Sequence, residues 1–462
     1  MYQRSRPARW TPWALAVFAT LATLVVALLI LRALAPGLIG LSPDLTLVQA
    51  AEERAPFYAN VFRVDDFKPG PFLVPDPLTH MRARPLDQDR GGMGPHDILG
   101  FRNRAVGNVA DVVVIGDSQT YGNNVTLEQN WPSVMAGRLA PGRPVYAMAT
   151  GGWGAVQYYQ MALNAGLFRP RVMIMAFYTG NDPLDSARLA FADDRWTALR
   201  PPGADDAVEF PKVNYPAPPE EQWPVVFANG LETVFSPQLR LVSNAPGEAA
   251  DAGYAIMERV AREIATQTRK VGIDFVVTLI PTKEYAFARR VAVEKLDAPA
   301  AYQALVDAEG ERIRAFAEAM ERHGVRYVDV VGPMQQAASE ATRSGRLYPG
   351  NVNGHPSIKG YSTLGNVMAE AVEPLLPPLP TGVVVARLPN DQSFLFRVQG
   401  GDVWRVFPAR AQAAGWPLDR VVEVQERDLL GLNWRGMWPF DASVGERAVS
   451  AAPETPESRS AR

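Results

Sequence analysis

Cysteine is missing from the 462-residue chain, which removes disulfides and thiolate metal sites from consideration. The absence also suits an oxidising compartment, where an unpaired thiol is a liability. Charge of one sign is scarce too: 46 Lys and Arg against 49 Asp and Glu leave a net charge of −3, with nothing to suggest a nucleic-acid partner. Histidine is sparse, with four residues. What remains is ordinary for a folded protein, 47% hydrophobic and 21% charged. The length admits two or three domains.

One long apolar stretch stands out. Residues 11–31, "TPWALAVFATLATLVVALLIL", carry no charge, and about 20 apolar residues span a bilayer as a helix. Arg4, Arg6 and Arg9 precede the run, and Trp10 and Trp13 sit where an interfacial aromatic belt would lie. This pattern predicts a transmembrane anchor over 1–40 with a cytoplasmic N-terminus. The competing reading is a cleaved leader. The run is long for one, and the nearest small-residue site, "ALA" at 33–35, is followed by Pro36. Either reading exports the rest of the chain.

Residues 41–106 read as an extended arm rich in Pro, Asp and Arg. From 107 to 378 apolar runs alternate with amphipathic ones. Strands are expected at 111–116, 144–150, 171–180, 274–281 and 325–331, with helices between them. The strands are unbroken apolar runs, so both sheet faces should be covered. Strand–helix alternation then gives a three-layer α/β/α domain around a parallel sheet. Residues 183–245 interrupt the rhythm with Pro, Asp and aromatics and little periodicity, and are expected to form an insertion, a lid or a surface excursion, over the C-terminal edge of the sheet. After "PLLPPLP" a small β-rich module is expected over 379–445. Trp404, Trp416, Trp434 and Trp438 crowd into it, to build a core or a sugar-stacking face. The tail, 446–462, is polar and expected to be disordered.

The first strand ends in "GDSQTYG" (116–122). A serine just past a strand commonly caps the following helix. Here three further blocks follow it: "ATGGWGAVQ" (149–157), "FYTGND" (177–182) and "NGHPSIKGY" (353–361). Each lies just after an expected strand or before an expected helix. A serine hydroxyl needs a base to remove its proton as it attacks. His80 and His96 precede the domain, and His323 ends a helix, whereas His355 opens one late in the sheet.

These four blocks resemble those of SGNH (GDSL-type) hydrolases, in the family's order and over a little more than half the chain. The resemblance implies a flavodoxin-like sheet, Ser118 as nucleophile and His355 as base. It implies an oxyanion hole made by the Ser118 and Gly152 backbone N–H groups and the Asn181 side chain. No metal or organic cofactor is implied. The family carries an Asp two or three residues before the histidine, but here Asn353 occupies that position. Three readings follow: another acid (Asp182 or Asp329) serves, a Ser–His dyad suffices, or the site has lost activity. "LIPTKEYAF" (279–287) resembles a loop of SGNH proteins tied to bacterial exopolysaccharides, including the alginate-acetylation type. That places Lys283 either near the cleft, facing an anionic sugar, or solvated at a helix start. The implied protein is a single-pass inner-membrane enzyme with a periplasmic catalytic domain. It would act as esterase or O-acyltransferase on acyl, chiefly acetyl, esters of an envelope or secreted polysaccharide. A membrane acyl-exporting partner goes with transfer. A non-catalytic polysaccharide-binding or assembly factor is the alternative.

Overall fold

The computed structural model describes residues 72–86, 93–377 except 108, 140–142 and 205–207, and 384–438 except 389–390, 400–401, 425–428 and 430–431, together with positions 19–21, 23 and 26. The expected membrane span falls outside these but for five helical positions, and the polar tail falls outside entirely. No helix among the described residues is long and apolar enough to cross a membrane.

Five strands form the central sheet: β1 (Val112–Gly116), β2 (Val145–Ala149), β3 (Val172–Tyr178), β4 (Asp274–Ile280) and β5 (Arg326–Tyr327). Their order is β2-β1-β3-β4-β5, and every pair is parallel. Because side chains alternate along a strand, Val113, Ile115, Met173 and Met175 enter one core while Val112, Val114, Val172 and Ile174 enter the other. Helices Ala155–Ala165, Glu248–Lys270 and Ala300–Arg322 supply the first core. Trp131–Arg138, Val331–Ser339 and Ile358–Val372 supply the second. The sheet is therefore covered on both faces, as unbroken apolar strands require.

Three regions differ from the sequence reading. β5 pairs over two residues instead of seven, because the Asp329 carboxylate accepts the Val331 N–H at 2.8 Å where helix Val331–Ser339 begins. The insertion is more regular than its composition suggests: helix Asp182–Ala192, hairpin Trp223–Val226/Glu232–Phe235 and helix Pro237–Asn244. Phe235 anchors the hairpin against Phe287 and Tyr302. The described part of the arm is not merely extended. Leu73–Asp76 pairs with His80–Ala83, and the Trp153 indole donates to the Met81 carbonyl at 2.7 Å. Arg102, 1% exposed, donates to the carbonyls of Gly94, Tyr121, Gly122 and Val125.

The C-terminal module is a separate five-stranded sheet (Val384–Leu388, Asp391–Gln399, Asp402–Val406, Val422–Glu423, Asn433–Met437) with a short helix at Pro408–Ala413. Trp404 and Trp416 both contact Trp438 edge-on, and the Arg397 guanidinium lies 4.1 Å from the Trp438 ring centre. Trp416 and Trp438 pack on Leu395, Val406 and Ala411, so these two serve a small core.

Candidate active site

In a sheet of this order the strand sequence reverses between β1 and β3, and the carboxyl ends of those strands frame a natural binding crevice. Loops after β1, β2 and β3 meet the 351–355 loop there. With Tyr215–Ala217, Ser236, Leu239 and Arg240 from the insertion they line a cleft of about 550 Å³.

Ser118 stands at the crevice because β1 ends one residue before a helical turn, Ser118–Tyr121. Asp117 caps that turn, accepting the Gln119 N–H at 2.8 Å, and its second oxygen lies 3.2 Å from Ser118 Oγ. Complete burial pushes the Asp117 carboxyl pKa up. Asp117 thus braces the turn.

His355 Nε2 lies 2.8 Å from Ser118 Oγ, and His355 Nδ1 lies 2.9 Å from Asn353 Oδ1. The same amide oxygen accepts the His355 backbone N–H at 2.9 Å. A backbone N–H can only donate, so the Asn353 oxygen, not its nitrogen, faces the ring. Nδ1 must then carry the proton, which leaves the Nε2 lone pair for the serine. Loss of hydration, together with the Arg240 guanidinium, holds the His355 pKa down to about 4. The imidazole is neutral at ordinary pH, with its Nε2 lone pair free to accept a proton.

The other candidate acids are elsewhere. Asp182 is fully buried, accepting the Tyr158 hydroxyl at 2.7 Å and the Tyr178 N–H at 2.9 Å. Burial, then the Asp117 charge, raises its pKa. Asp329 caps its helix. Neither is bonded to the imidazole, so the orienting group is the amide. Lys283 also departs from expectation. It is 0% exposed and does not line the cleft; its ammonium donates to the carbonyls of Asn351 (2.7 Å) and Asn353 (3.3 Å). Burial lowers its pKa to about 8. Its role is to hold the histidine loop from behind. His323 bonds Glu258 at 2.9 Å and does not line the cleft.

The three residues that the sequence resemblance implies as oxyanion donors, Ser118, Gly152 and Asn181, all line the cleft. Ser118 is the first residue of its helical turn, so its N–H has no partner within that turn. Gly152 lines the cleft with φ +78, a conformation that a side chain would strain. A Cβ on Gly151 would lie 3.6 Å from Ser118 Cβ, so this turn abuts the nucleophile. Asn181 also lines the cleft, and its Nδ2 donates to Asp185 Oδ2 at 2.8 Å and to Asp182 Oδ1 at 3.3 Å, which together hold the amide at the cleft wall. Asp185, Gln119, Tyr178 and Arg240 are cleft residues that sequence reading missed. Gln119 and Tyr178 lie within the quoted blocks and Asp185 lies one helical turn after Asn181, whereas Arg240 had no such signal.

No family model matches the sequence, and no curated protein does either. Among solved structures, the chain is similar to a G-D-S-L-family protein from Desulfitobacterium hafniense (12% identity, 57% of this chain and 98% of that one, TM-score 0.30). It is also similar to a GDSL-like lipase from Bacteroides thetaiotaomicron (11%, 57% and 88%, TM-score 0.31). A third is an acetylxylan esterase from Geobacillus stearothermophilus (10%, 58% and 95%, TM-score 0.31). The four sequence blocks that resemble those of SGNH (GDSL-type) hydrolases are brought together at the reversal point of this parallel sheet.

Proposed function

We propose that the protein is a serine esterase or O-acyltransferase working through an acyl-enzyme. The observation that carries this reading is the continuous chain Asn353 Oδ1–His355–Ser118 Oγ, with both contacts at hydrogen-bond distance and the tautomer fixed. Ser118 Oγ attacks the ester carbonyl carbon as its proton passes to His355 Nε2. The carbonyl oxygen, now negative, is received by the N–H groups of Ser118 and Gly152 and by Asn181 Nδ2; one such donor typically contributes about 3–4 kcal/mol. Collapse breaks the ester C–O bond, and the imidazolium gives its proton to the leaving alkoxide. Water or a sugar hydroxyl, deprotonated by His355, then takes the acyl group from Ser118.

Acyl, chiefly acetyl, esters of an envelope or secreted polysaccharide are the substrates we favour. The N-terminal apolar run and its arginines support an anchored, exported enzyme. A membrane acyl exporter would be the partner if the acceptor is a sugar. The experiment is active-site labelling with a fluorophosphonate on the intact protein. The label should map to Ser118, and Ser118→Ala should abolish both labelling and 4-nitrophenyl acetate turnover. An unlabelled wild-type protein across pH 5–9 would favour the non-catalytic, polysaccharide-binding alternative.

A further inference from the structure

Arg240 is 8% exposed, stands in the first turn of helix Pro237–Asn244 and lines the cleft. Its close neighbours are neutral oxygens, the Gly180 carbonyl at 3.4 Å and the Tyr215 hydroxyl. Its Nε is buried with no hydrogen-bond partner. Glu284 and Glu309 are near enough for their charges to be felt, but neither bonds Arg240: Glu284 Oε1 accepts the Ser236 N–H while its Oε2 is buried without a partner, and Glu309 accepts from Thr179 and Thr282. Two other cleft residues share the anomaly. Tyr178 OH and Ser236 Oγ are buried and unpartnered. A buried cation without an ion pair is costly, and so are buried hydroxyls without partners.

All three groups can donate and line the cleft, and two of them, Arg240 and Tyr178, adjoin the reacting centre. A Cβ built on Gly354, the residue before His355, would lie 2.7 Å from an Arg240 terminal nitrogen and 3.3 Å from Tyr178 OH. Resting on the esterase reading, we infer that Arg240, with Tyr178 and Ser236, forms a subsite for a carboxylate carried by the ester substrate. A guanidinium suits a carboxylate better than an ammonium does, because its planar fork pairs both oxygens. Lys283 does not supply this charge, since its ammonium is spent on the histidine loop. The carboxylate has two sources: the acyl group, as in a half-ester of a dicarboxylic acid, or the alcohol, as in an acylated uronic acid.

The test compares matched esters on the intact protein. One arm sets mono-4-nitrophenyl succinate against 4-nitrophenyl butanoate, and the other sets O-acetylated methyl glucuronoside against O-acetylated methyl glucoside. One charged ester should exceed its neutral mate in kcat/KM by about tenfold or more, the scale of a charge-assisted contact. The arm that responds identifies the source. In Arg240→Gln the charged-to-neutral ratio should fall to near one, and Arg240→Lys should retain part of it. A measurement free of catalysis runs beside this: succinate or glucuronate, but not chloride at equal ionic strength, should raise the Tm of the Ser118→Ala protein. No preference in either arm, with Ser118 still taking the fluorophosphonate, would overturn the subsite and leave the esterase standing. No Tm response to either carboxylate would overturn it even in an inactive protein.

Discussion

Along the Ser118 side of the cleft, hydrogen bonds run without a break from Lys283 through the Asn351–Asn353 carbonyls and the Asn353 amide to His355 and the nucleophile. The Ser118, His355, Asn353 and Lys283 side chains are thus all bonded before any substrate arrives. Beside Tyr178 and Arg240 the opposite holds, and three buried polar atoms have no partner. The first side is preorganised: its donors and acceptors need no rearrangement as charge develops. The second is incomplete, and in the proposed subsite a substrate carboxylate completes it. One cleft thus separates the work of reacting from the work of choosing.

The largest expected effect comes from breaking the satisfied side at its centre. His355→Ala should lower kcat/KM by ~10³-fold or more. His323→Ala, on a histidine paired with Glu258, should stay within a few-fold. Equal losses would mean that the wrong base has been identified. Lys283→Met removes the support behind the histidine loop and leaves two carbonyls without their donor. A small displacement of a reacting group can cost up to ~10²-fold, so kcat should fall ~10- to 100-fold while KM changes little. A fall in KM-governed binding with kcat intact would contradict this loop-holding role.

Asn353→Asp sharpens the comparison by adding charge where only an amide oxygen now stands. A carboxylate would stabilise the imidazolium formed during attack, and turnover should rise ~10-fold. The same change should move the acid limb of the pH–rate profile upward. In the unaltered protein that limb should lie near pH 4, the value to which desolvation and Arg240 hold His355. The sign follows directly: the base works when neutral, so activity persists down to its pKa and is lost below it. A limb near 6.5 in kcat/KM would show an unperturbed ring. Asp329→Asn should have the smallest effect, because asparagine caps a helix as well as aspartate does.

Much of the site was legible in the sequence because catalysis needs particular residue types beside strand ends. Ser118, Gly152, Asn181 and His355 all lie at one edge of the sheet, where those blocks had placed them. What escaped was set by tertiary contact. Whether Lys283 faces solvent, sugar or a carbonyl depends on a loop 70 residues away. Arg240 lies in a stretch without clear periodicity, and nothing nearby in the chain marks its charge as unpaired. The Asn353 question was likewise undecidable from composition. An amide can present oxygen or nitrogen, and the deciding bond comes from the backbone of His355. For the fold, four strands could be read within about a residue or two, whereas β5 was overextended because apolar residues continue past the Asp329 cap.

Arg102 sets where the catalytic domain can be cut. Sequence rhythm starts the domain at 107, yet this guanidinium, five residues earlier, holds the turn on which the nucleophile is mounted. His96 adds a bond from its Nε2 to the Tyr121 hydroxyl at 2.8 Å, and Phe72 meets the same ring edge-on. A fragment that keeps these contacts to the nucleophile turn must therefore include Phe72. One starting at 107 would leave the Gly122 and Val125 carbonyls beside Ser118 without the Arg102 donor, and a fragment series read by fluorophosphonate labelling should show reactivity vanish between those two starting points.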